Sequence, residues 1–301
     1  MKSLKHSGNT SPYCCKTVAI NGIALVAVLW LVAAMSVMLI GLQHVVRGEI
    51  QSAGQAQNGV ASSGIADAAI RLTLQRMIAT KGVYEKAVRT ATVTVLDHEV
   101  KVQVVPLTGL IDLNNASESL LADTYEYGGG LPKDEALRLA GLTVEARERR
   151  GSDGRAERLH AIEDLLRVPG LQYDTYAKIA SSVTIESVGD GRVNPLAASA
   201  ETLVILGRGD RLRALQLVES RLSNPESMDA TTLTTQHLQM EPTSRLALSA
   251  TLRSQGDVTV TRTWRVDLAA SSRGLPWRVL GVEQRVAFEG GSTVVPNATL
   301  N

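Results

Sequence analysis

The chain reads as an α+β protein in which an N-terminal transmembrane helix continues onto an antiparallel sheet, with a large all-helical segment inserted between the strands. Three observations carry that expectation. An uncharged apolar run extends from Ile23 to Leu42, and at about 1.5 Å rise per residue it makes a helix of roughly 30 Å, enough for a bilayer core. Alternating apolar residues mark strands both shortly after the helix and near the C-terminus. Between those two sets of strands the pattern turns helical and contains an internal repeat.

The leader comes first. Lys2, Lys5, His6 and Lys16 precede the apolar run without an acidic residue, so the positive-inside bias keeps the N-terminus cytoplasmic and exports the chain beyond Leu42. A lipoprotein signal is excluded, because Cys14 and Cys15 stand before the apolar run instead of after it. An ordinary secretory signal has a shorter apolar stretch and a small-residue cleavage site, for which Ala33-Ala34-Met35-Ser36 is the candidate. A prepilin-type leader, residues 1–22, would instead be cut between Gly22 and Ile23 and leave the whole apolar helix on the mature protein. A plain uncleaved anchor is the fourth reading, and the leader alone leaves these open.

Composition sets bounds on the exported part. The 301 residues carry a net charge of +1, with 44% apolar and 20% charged side chains, so no basic excess points to nucleic acid. There is one Phe, and aromatics total 3%; the core must be built from Leu, Val, Ile and Ala. Both cysteines lie before Gly22, so a chain cut there has no disulfide.

From Gln43 to Thr80 the sequence continues as helix without proline, and Ile70, Leu74, Met77 and Ile78 fall on one face that can pack on a sheet. Thr92 to Leu96 and Glu99 to Val105 are expected as a hairpin around an Asp97-His98 turn. Leu246 to Leu252, Val258 to Leu268 and a last strand from Arg278 to Phe288 alternate in the same way. The domain expectation is therefore 23–42 transmembrane, 43–107 helix continuation and first strands, 108–188 helical insert, and 189–301 the remainder of the sheet domain.

Within the helical stretch, Gly109-Leu110-Ile111-Asp112-Leu113-Asn114-Asn115-Ala116-Ser117 returns as Gly191-Arg192-Val193-Asn194-Pro195-Leu196-Ala197-Ala198-Ser199. Each copy enters extended, turns on Asp or Asn and places Ser at a helix N-cap. Leu166 to Leu171 has the outline of a helix-hairpin-helix turn, read as structural because Glu163, Asp164 and Asp174 surround it. Glu145 to Arg158, with both charge signs around Gly151 and Gly154, is expected to be a solvated loop.

Taken together, Gly22 before the apolar run, the Gly-Leu-Ile-Asp-Leu-Asn-Asn-Ala-Ser segment, Leu-Arg-Val-Pro-Gly-Leu, the second Asn-containing copy and the C-terminal strands resemble the minor pseudopilin K family of type II secretion (general secretion pathway protein K). The resemblance implies a pilin-like domain interrupted by a helix-hairpin-helix/SAM-like insert, at the tip of a periplasmic pseudopilus in the inner membrane. The partners it implies are the minor pseudopilins I and J, the major pseudopilin and prepilin peptidase. It also implies that Ala27, the fifth residue of a chain starting at Ile23, replaces the Glu of most pilins, as in the K-type proteins. Alternatives are a minor pilin of a type IV or competence pilus and a signal-anchored periplasmic binding domain.

No catalytic pattern emerges: His44, His98, His160 and His237 are isolated, and HExxH, GxSxG and P-loop spacings are missing. An enzyme is not expected. Some members of the family bind calcium, and Asp112, Glu186, Asp190, Glu201 and Asp210 are oxygen donors near the expected domain junction without an EF-hand pattern. No metal ligands are assigned, and no nucleic acid is expected as a partner.

Overall fold

The computed structural model describes residues 21–80, 82–150, 154–223, 228–254, 258–272, 274–288 and 291–294. Two compact units are resolved, Met1–Gln57 and Asn58–Asn301. Helix α1, Asn21–Ala79, begins in the first and ends in the second. Side chains of the first unit are described at 25–36 and 38, and all of them are exposed. Among the described residues no helix is long and apolar enough to cross a membrane; the run Ile23 to Leu42 is only partly within that description.

The second unit is a mixed helix and antiparallel sheet structure. Its six-stranded sheet runs β1-β2-β5-β6-β7-β8, with β1 Arg89–Val95, β2 His98–Pro106, β5 Arg245–Ser254, β6 Val258–Asp267, β7 Arg278–Phe288 and β8 Gly291–Val294. Every pairing within it is antiparallel. The hairpin turn is Leu96-Asp97 and not the expected Asp97-His98, because His98 pairs with Val95 in the ladder. Leu96 and Asp97 both have positive φ, 45° and 62°, the backbone of a two-residue turn that matches strand twist.

The last turns of α1 lie on this sheet as their 3.6-residue spacing requires. Ala66, Ala69, Ile70, Leu74 and Met77 share one buried cluster with Val100, Val102 and Val104 of β2 and with Leu246, Leu248, Trp264 and Val266. Ile78 is partly buried beside it. Both sets of strands are thus needed to cover one helix face.

β2 and β5 are hydrogen-bonded neighbours, with Pro106 opposite Leu246, so the chain leaves the sheet after Pro106 and returns at Arg245. Between them lie β3 Ile111–Asp112, α2 Glu118–Asp123, α3 Lys133–Glu148, α4 Tyr173–Ile179, β4 Val183–Thr184, α5 Ala200–Leu206 and α6 Arg211–Ser223. The first part of the charged stretch expected as a loop is the end of α3, which runs to Glu148. The domain boundary expected at 188 falls inside one apolar cluster, in which Leu121, Leu139 and Ile179 pack with Leu203, Leu206, Ala214 and Leu217. The physical reason is that the apolar residues of α5 and α6 belong to the same buried cluster as those of α2, α3 and α4, and none of them to the cluster that covers the sheet.

The internal repeat seen in the sequence is a repeat in three dimensions. Asp112 accepts at Oδ1 from the amide of Asn114, and its carbonyl accepts from the amides of Asn115 and Ala116. Asn194 does the same for Leu196, Ala197 and Ala198. Ser117 then caps α2 by accepting from the amide of Leu120 at 3.2 Å, and Ser199 caps α5 by accepting from Thr202 at 3.1 Å. Each turn is also held by an arginine from the second helix of its copy. Arg147 of α3 donates to the carbonyl of Leu113, and Arg221 of α6 donates to that of Pro195, the residue after the Asp or Asn in each copy.

The two copies interlock through their first glycines. A Cβ on Gly109 would strike the backbone carbonyl of Ala197, and one on Gly191 would strike that of Asn115. Ala197 and Asn115 are equivalent positions, so the contact is reciprocal. Gly191 also has φ +83°, a conformation that side chains resist.

Candidate functional site

Two regions carry the features that bear on function: the exposed apolar part of α1, and the seam where the repeat module joins the sheet. In the first, residues 1–20 of the leader lie outside the described residues. Gly22 and Ile23 are in the first turn of α1, described for backbone only. Ala27 is on the described, exposed stretch. Around it Leu25, Leu29 and Trp30 are 72%, 69% and 73% exposed. Water does not favour such a surface: burying each of these side chains is worth about 1.5–3 kcal/mol.

Further along the same helix, a polar clamp fixes α1 to the sheet. Asp67 receives a two-pronged ion pair from Arg262 of β6, Nε to Oδ1 at 2.9 Å and Nη2 to Oδ2 at 3.0 Å. The indole N–H of Trp264 donates to the same Oδ1 at 2.8 Å. Arg71, one turn on, lies 5.2 Å from the centre of the Trp264 ring, within cation–π range. Arg262 further donates to Gln284 of β7 at 3.2 Å. This clamp escaped the sequence reading, although its signal is present. Asp67 is the one acidic residue between Glu49 and Glu85, and it lies among apolar neighbours on the sheet-facing side.

At the seam, arginines and carboxylates tie the end of β4 to the sheet. Arg265 Nε lies 2.7 Å from Glu186 Oε2, an ion pair without hydrogen-bond alignment. Arg245 donates to the carbonyls of Glu186 and Ser187 and to Asp267 Oδ2. Burial pushes the Glu186 carboxyl above its ordinary range, against the pull of Arg265 and Arg245. Burial acts upward on Asp267 too, but there the bonds from Ser244, the Ala269 amide and Arg245 prevail and hold it below its ordinary range.

The five carboxylates singled out from sequence are not brought together. Asp112 is taken up by its own turn, and burial raises its pKa above the ordinary value. Glu186 pairs with Arg265, Asp190 with Arg192 at 2.6 Å, and Asp210 accepts from the Arg213 amide at the start of α6. Glu201 lies in the first turn of α5. Among the described residues no group of three or more His, Cys, Asp or Glu side chains is placed to hold a metal. At the turn Leu166–Leu171, expected from sequence as a helix-hairpin-helix turn, a Cβ on Gly170 would come within 2.7 Å of the Arg138 guanidinium of α3, so α3 closes over that turn.

No family model matches the chain, and no curated protein matches it. Among solved structures it is similar to one from enterotoxigenic Escherichia coli, described as the crystal structure of the GspK-GspI-GspJ complex of the Type 2 Secretion System. The identity is 16%, the match covers 78% of this chain and 99% of the other, and the TM-score is 0.48.

Proposed function

We propose that the chain is a minor pseudopilin of the K type, a structural subunit and not an enzyme, which works at the tip of a type II secretion pseudopilus. The observation that carries this reading is the division of α1. One helix has an uncharged apolar N-terminal part with its described side chains exposed, and a C-terminal part clamped on an antiparallel sheet by Asp67. A helix of that kind serves two solvents in turn. Lipid holds Ile23 to Leu42 before assembly, with the N-terminus cytoplasmic and the second unit periplasmic. Packing against neighbouring subunits covers it afterwards.

In this reading prepilin peptidase cuts between Gly22 and Ile23 and methylates the new amine. The partners are the minor pseudopilins I and J and then the major pseudopilin. Ala27 suits a subunit that has none above it. A carboxylate at that depth in lipid costs several kcal/mol unless paired, and a tip subunit has no neighbouring amine to pair it with. The module between β2 and β5 supplies the bulk that closes the tip.

The test is the intact mass and N-terminal sequence of the membrane-extracted protein, made with and without a prepilin peptidase. A start at N-methyl Ile23 that requires the peptidase is the expected result. An intact Met1, or a cut near Ser36, overturns the reading in favour of an anchored domain.

A further inference from the structure

We draw no further inference here: the strongest candidate, the cavity of about 400 Å³ in the repeat module walled by Tyr127, by Val204 and Ile205 of α5 and by Ala214 and Leu215 of α6, is an unpartnered apolar face, and nothing in the structure shows what covers it.

Discussion

Two carboxylates decide how α1 and the module are held to the sheet, and they do so through different physics. Asp67 is the anchor of a partly buried network, so removing it leaves Arg262 and the Trp264 indole without their acceptor. Asp67→Ala is expected to cost about 2–3 kcal/mol and Asp67→Asn about half as much, since an amide oxygen can still accept from Trp264. Urea unfolding followed by tryptophan fluorescence measures both. Asp267 adds a pH dependence. Its folded pKa lies below the unfolded one, because hydrogen bonds from Ser244, Ala269 and Arg245 outweigh burial. Its stabilisation is therefore fully present above the unfolded carboxylate value near pH 4 and is lost as pH falls through the lower, folded value. Asp267→Asn is expected to lose about 2 kcal/mol at pH 7. The gap to the parent should narrow steadily below pH 4 in urea midpoints taken across that range.

At the scale of elements, the sequence was most legible where periodicity and caps agree. Val100, Val102 and Val104 alternate, and they are the residues that β2 turns toward α1. Ser117 and Ser199 cap α2 and α5 as their spacing from Asp112 and Asn194 implies. The hairpin turn was displaced by one residue because leucine is a poor residue for positive φ, and only the ladder places Leu96 there. Leu96 is also 80% exposed, so it brings strain without burial. Leu96→Asn together with Asp97→Gly should raise stability by about 1 kcal/mol, read as a rise in the urea midpoint at unchanged slope. Interactions between distant residues were the illegible part. Nothing in local spacing tells that Arg147 and Arg221 reach back to equivalent carbonyls. Nor does it tell that Gly109 and Gly191 are required by each other's copy, or that Arg245 and Arg265 meet Glu186 from the sheet.

The whole molecule poses the question of where the inserted part ends, and the answer separates two deletions. Removing 108–188 takes out the first copy of the repeat and leaves α5 and α6 with Leu203, Leu206, Ala214 and Leu217 stripped of their partners, and Gly191 without the turn it packs against. Three leucines and an alanine exposed at once forfeit on the order of 5–10 kcal/mol of burial, comparable to the whole stability of a domain. That variant should be insoluble or proteolysed. Removing the chain between Pro106 and Arg245 instead joins two strands already paired at Pro106 and Leu246, and a short Asn-Gly turn can close them as a hairpin. The shared core of α1 and the sheet keeps all of its members in this variant, since none of them lies between 107 and 244. It should therefore be recovered folded, with a protease-resistant core spanning residues 58–106 and 245–288 and cooperative unfolding. Limited proteolysis with mass analysis of both variants, side by side, decides the matter: a soluble, resistant 108–188 deletion would show that the second copy belongs with the sheet, and a protease-sensitive 107–244 replacement would show that the sheet needs the repeat module to fold.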